Sequence, residues 1–134
     1  MPHKVMIVDD AMMMRTIIGN FVKSLPEFQL VATAANGKLA LEQLKVHPDL
    51  SLILLDIEMP EMDGLEFLRH AKMITRAKIV ILSSVAVSGS PHAAKARELG
   101  ADGIVTKPSG AVSMDLAEKR GSELAQVMKK LVGA

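Results

Sequence analysis

The stretch Leu50-Ser51-Leu52-Ile53-Leu54-Leu55-Asp56 decides how this chain folds. From Leu50 to Leu55 it reads as an apolar run, interrupted at Ser51, as expected for a strand covered on both faces of a parallel sheet. It then halts at a carboxylate. Similar short runs recur on either side. Lys4 to Val8 is rich in β-branched residues and stops at Asp9-Asp10. Phe28 to Ala34 reads as a second strand, Ile79 to Leu82 as a fourth and Gly103 to Thr106 as a fifth. Segments of helical period separate them. Met14, Ile17, Ile18, Phe21, Val22 and Leu25 form one apolar stripe at helical spacing, ended by Pro26.

The remaining helices carry their own punctuation. Asn36-Gly37 predicts a turn before a helix bearing Leu41 and Leu44. Asp63-Gly64-Leu65-Glu66 predicts an N-cap with a carboxylate in the first turn, opening a helix through Leu68 and Ala71. Ser90-Pro91 supplies a cap with proline at the first helical position, and Leu99-Gly100 supplies the stop. A last helix from Asp115 to Leu131 turns Leu124, Val127, Met128 and Leu131 inward. Five strands and five helices in strict alternation predict an α/β architecture, a doubly wound parallel sheet with helices on both faces.

Composition agrees. A chain of 134 residues is one domain's worth, taken as residues 1–134. With 49% hydrophobic and 23% charged residues it is not disordered. A net charge of +1 gives no sequence-wide attraction for nucleic acid or anionic lipid. The absence of Cys removes disulfides, thiolate zinc sites and thiol nucleophiles, and His3, His47, His70 and His92 are too scattered for a metal cluster. Apolar runs of about five residues fall far short of a membrane span, and no signal peptide opens the chain. Three Phe with no Trp or Tyr argue against stacking on single-stranded nucleic acid. A cytoplasmic domain that binds no nucleic acid and enters no membrane is expected.

In an open parallel sheet, ligands bind beyond the carboxyl ends of the strands. Asp9 and Asp10 follow the first strand, Asp56 the third, Ser83 and Ser84 the fourth, and Lys107-Pro108 the fifth. One Asp after a strand is most often a cap, and one Lys a surface charge. Four strand ends bearing complementary groups are another matter. Three carboxylates brought together repel one another unless a cation sits among them, and a few hard oxygen ligands suit Mg²⁺. A fixed ammonium and a hydroxyl suit the oxygens of a phosphoryl group, and a carboxylate can itself be the nucleophile.

These residues stand in motifs: Val-Asp-Asp at 8–10, Leu-Asp-Ile-Glu-Met-Pro-Glu-Met-Asp-Gly at 55–64, Leu-Ser-Ser at 82–84 and Thr-Lys-Pro at 106–108. On them the chain resembles, over essentially its whole length, a receiver domain of two-component response regulators. The resemblance implies a flavodoxin-like (βα)5 fold. It implies that Asp56 accepts a phosphoryl group and that Asp10 binds Mg²⁺ directly, with Asp9 acting through a water. The Glu58 carbonyl completes the metal ligands, Lys107 pairs with phosphoryl oxygens, Ser83 is the switch hydroxyl, and Pro108 follows a cis peptide. Such a domain is a phosphoacceptor switch that catalyses only its own phosphorylation and dephosphorylation.

Three departures from the family pattern stand out. Ile104 occupies the place of an aromatic that usually swings with the switch hydroxyl. The Glu58 carboxylate lies beside the phosphoryl site and is expected to alter the lifetime of the phosphorylated form. Residues 85–90 make a long Gly/Ser-containing stretch. No DNA-binding segment is evident, so output is expected through another protein. The chain resembles single-domain chemotaxis regulators of the CheY kind, which implies a CheA-like kinase donor, a FliM-like flagellar motor switch target and a monomer. Ser83-Ser84 and Val-Ser-Met-Asp-Leu at 112–116 also resemble the receiver half of the methylesterase CheB, which is the alternative. A haloacid-dehalogenase-type phosphatase would want Asp where Glu58 stands, and no phosphate-binding glycine loop is present. Met12-Met13-Met14 reads as core packing plus an exposed loop rather than a soft-metal site.

Overall fold

The alternation holds throughout a computed structural model that describes residues 2–56, 64–83, 91–106 and 120–133. In chain order these are β1 (His3–Val8), α1 (Met12–Lys23), β2 (Phe28–Ala34), α2 (Gly37–Val46), β3 (Leu52–Asp56), α3 (Gly64–Ile74), β4 (Lys78–Ser83), α4 (Pro91–Glu98), β5 (Gly103–Thr106) and α5 (Arg120–Val132). The strands form one parallel sheet in the order β2-β1-β3-β4-β5. This is the doubly wound, flavodoxin-like topology expected from the sequence. Winding reverses between β1 and β3, so their carboxyl ends flank the crevice of the sheet.

Because side chains alternate along each strand, the sheet feeds two cores. Met6, Val8, Ile53, Leu55, Ile79 and Ile81 pack with Ala40 and Leu44 of α2, Phe67, Leu68 and Ala71 of α3 and Ala96 of α4. Val5, Ile7, Leu52, Leu54, Val80 and Leu82 face Ile18 and Val22 of α1 and Leu124 and Met128 of α5. Val127 and Leu131 join this second core at its rim, as their spacing foretold. Met14 also packs there, while Met12 and Met13 are 73% and 70% exposed. The methionine run is therefore one core residue and two surface ones.

Several boundaries differ from the sequence reading. The third strand runs Leu52–Asp56, not Leu50–Leu55, because ladder pairing with β4 begins at Leu52 opposite Lys78 and continues to Asp56 opposite Leu82. Leu50 is still buried, but in a turn whose amide bonds to the His47 carbonyl. Ser83 closes β4 rather than following it, opposite Thr106. Asn36 is more than a turn residue: its Oδ1 accepts from the Leu39 amide at 2.8 Å and caps α2. Asp63, Ser90 and the stretch 115–119 lie outside the described residues.

The far end of α4 is fastened to the sheet. Gly100, at φ 104°, ends the helix in a left-handed conformation that favours glycine, as the Leu99-Gly100 stop implied. Asp102 Oδ2 then accepts from the Ile79 amide at 2.9 Å and from Lys72 Nζ at 3.2 Å. One carboxylate thereby joins α3, β4 and the approach to β5.

Candidate functional site

Register places the site. In the β1–β3 ladder Val8 stands opposite Leu55, so the next residues on each strand, Asp9 and Asp56, emerge at the same level. Both residues are 1% exposed, while Asp10, one residue further on, is exposed. A ligand oxygen from each of Asp9, Asp10 and Asp56 lies within 4.8 Å of the other two. The three carboxylates read from separate motifs thus form one cluster at the switch point of the sheet.

Of the other expected members, Ser83 alone is placed, and by its backbone. Asp56 stands opposite Leu82 in the β3–β4 ladder, which puts Ser83 one step beyond it at the same sheet edge. Its side chain lies outside the described residues. Thr106 ends β5 at that edge; Lys107, the next residue in sequence, Pro108 and its peptide bond, Glu58 and Ser84 are likewise outside.

The acidic turn is rigidly braced. The Asp9 amide donates to the Ala34 carbonyl of β2 at 3.0 Å. Asp9 Oδ1 accepts from the Ala11 amide at 2.8 Å, closing a local Asx-type turn that leads into α1. The Asp9 carbonyl accepts from Arg15 Nη1 at 2.7 Å. Arg15 was not among the residues singled out from sequence. The signal was available: a cation in the first turn of a helix opposes the helix dipole, so its presence there asks for a reason.

Electrostatics favours a bound cation. Two full negative charges at 4.8 Å repel by roughly 3 kcal/mol at an effective dielectric constant of about 20. Burying two such groups beside a third is tolerable when positive charge or donors compensate. A small set of carboxylate oxygens, one of them open to solvent, fits a hard divalent cation that keeps several waters. The donor set therefore fits Mg²⁺. Ile104 stands opposite Ile81 and is half-buried against the core on the α2–α4 side.

Comparison with known proteins agrees with this geometry. The family model for the response regulator receiver domain matches residues 5–117. A chain in the crystal structure of the P1 domain of CheA3 in complex with CheY6 from R. sphaeroides is 65% identical, with a TM-score of 0.82 over 99% of this chain and 98% of that one. The response regulator domain of Thermotoga maritima CheB superposes with the same TM-score of 0.82 at 27% identity, covering 98% of this chain and 97% of that one. A protein-glutamate methylesterase/protein-glutamine glutaminase of Treponema denticola is 45% identical over 115 residues, which are 84% of this chain and 30% of the relative. The chain thus spans about a third of the length of the curated relatives it matches. Among the described residues, no helix is long and apolar enough to cross a membrane.

Proposed function

The chain belongs to the response regulator receiver domain family, and from that premise we propose that Asp56 accepts a phosphoryl group from a phosphohistidine of a partner kinase. The convergence of Asp9, Asp10 and Asp56 within 4.8 Å carries this reading. Residues 1–134 would then act as one phosphoacceptor switch, cytoplasmic and monomeric, turning over only its own phosphate.

In the transfer an Asp56 carboxylate oxygen attacks phosphorus, the P–N bond to the donor imidazole breaks, and the imidazole leaves with a proton. Asp9, Asp10, Asp56 and the Glu58 carbonyl would hold Mg²⁺, which supplies charge neutralisation for the transferring oxygens. Asp56 is the strand-end carboxylate for this role, fixed by the β3 ladder. Lys107, one residue past β5, takes a phosphoryl oxygen, and the Ser83 hydroxyl takes another once the group is in place. That new bond draws the segment after β4 toward the site and biases a two-state equilibrium. With Ile104 already packed inward, output runs through displacement of that segment and α4 rather than an aromatic swing. The Glu58 carboxylate changes how fast water cleaves the acyl phosphate.

The donor that fits best is a CheA-like kinase domain, because the 65% identical relative is a chain of a CheA3 P1–CheY6 complex. The same 65% identity supports the CheY-like, single-domain reading, to which we assign a FliM-like motor switch as target. The 45% identity to a methylesterase supports the second reading, the receiver portion of such an enzyme. Mixing the chain with a radiolabelled phosphorylated P1 domain and Mg²⁺ tests the donor: label moves to the wild type and stays on the donor with Asp56→Asn. Equal labelling of both proteins contradicts the assignment. Retention of the phosphorylated form on immobilised FliM N-terminal peptide supports motor output, and its absence favours the methylesterase reading.

A further inference from the structure

We propose that Arg15 is a positioning residue that sets the backbone of Asp10 for metal binding. The inference rests on reading the acidic cluster as a divalent-cation site. Asp10 is the exposed member of that cluster, and among the described residues its carboxylate has no hydrogen-bond partner. The direction of its Cα–Cβ bond is set by the main chain on either side. Both peptide units that flank Asp10 are hydrogen-bonded. The unit before it is fixed by Arg15 Nη1 on the Asp9 carbonyl at 2.7 Å. The unit after it is fixed by Asp9 Oδ1 on the Ala11 amide at 2.8 Å. The second bond comes from a metal ligand itself, whereas the first depends wholly on Arg15.

The placement of Arg15 supports this. The first turn of α1 has no acidic residue, and its N-cap, Ala11, makes no side-chain cap. A helix start of this kind does nothing to welcome a cation. Half-buried Arg15 reaches back across the turn to the end of β1 and completes the brace that strand pairing begins at the Asp9 amide.

Two effects of Arg15 on a bound cation have opposite signs. Its charge repels the metal, so removal of charge alone tightens binding. Its hydrogen bond pre-orders Asp10, so removal of the brace weakens binding. Residues that orient metal ligands typically change affinity by about tenfold or more, so the brace wins.

Mg²⁺ titrated calorimetrically into wild type, Arg15→Met and Arg15→Gln, which remove the charge and the guanidinium brace together, reads the net of the two. The variants are expected to bind Mg²⁺ about tenfold more weakly, with the Asp10 and Ala11 amide resonances shifted in the metal-free protein. Affinity that is unchanged or tighter overturns the proposal. Arg15→Gln keeps a polar side chain and serves if Arg15→Met does not fold. Phosphorylation by acetyl phosphate gives the second readout: the Mg²⁺ concentration for half-maximal rate rises while the saturated rate is retained. A lowered saturated rate at wild-type Mg²⁺ affinity also overturns it. Should wild type bind Mg²⁺ yet take no phosphate, the phosphoacceptor reading fails while the calorimetry still judges Arg15.

Discussion

Gly103 illustrates how tightly single residues control this fold. A Cβ added there would lie 3.1 Å from Val127 Cγ1 and 3.7 Å from Leu131 Cδ1, so α5 rests directly on the first residue of β5. Gly103→Ala is expected to destabilise the protein by about 1–3 kcal/mol through overpacking. Urea unfolding measures this, and adding Val127→Ala should return part of the loss. Full stability of Gly103→Ala alone would mean that α5 yields at no cost. Gly100 is constrained differently, by its φ of 104° and by the Lys72 side chain lying 3.2 Å from where its Cβ would stand. The acidic residues were legible individually, because Asp9, Asp10 and Asp56 each end a run of apolar residues. Arg15 was legible only as a cation out of place in the first turn of α1, because its partner is a backbone carbonyl and backbone acceptors leave no trace in side-chain patterns.

At the scale of elements, period and punctuation read well and edges less so. The α1 stripe and the inward set of α5 were legible because helical spacing maps directly onto a buried face. The β3 boundary was not, since Leu50 is apolar and buried yet lies in a turn; burial without ladder pairing looks the same in sequence. Asn36 shows a related ambiguity. Asn-Gly signals a turn, and only the bond to the Leu39 amide reveals a helix cap. Asn36→Ala should cost about 1 kcal/mol, while Asn36→Asp retains most of the stability. A larger effect sits at Phe67, fully buried under α3, where Phe67→Ala should cost about 3–5 kcal/mol. Denaturant midpoints at constant slope report both, and a loss below 1 kcal/mol at Phe67 would contradict its place in the core.

Across the whole molecule, two ion pairs tie distant segments near the amino ends of the strands. Glu27 meets Lys129 at 3.2 Å, linking the start of β2 to α5, and Lys4 pairs with Asp49, linking β1 to the loop before β3. A backbone hydrogen bond, then Lys129, holds the Glu27 carboxyl below its ordinary value. The Lys4 ammonium does the same for Asp49. A carboxylate whose folded pKa is depressed contributes stability present above its unfolded pKa and lost as pH falls through the folded value. Both pairs should therefore stabilise the protein at neutral pH and fail on the acid side of the normal carboxylate range. Glu27→Gln with Asp49→Asn is expected to flatten the acid limb of a stability–pH curve, the difference from wild type vanishing at low pH. A difference that grows on acidification would reverse the sign of the account.

The same scale carries the central claim, that ladder register gathers carboxylates from β1 and β3 into a phosphoacceptor site centred on Asp56. Intact-mass measurement after incubation with acetyl phosphate and Mg²⁺ tests it most directly. Wild type should gain the mass of one phosphoryl group, lose it again with time, and gain none when Mg²⁺ is chelated; Asp56→Asn should gain none under any of these conditions. Equal gain by Asp56→Asn, or a gain in wild type indifferent to chelation, would contradict the claim.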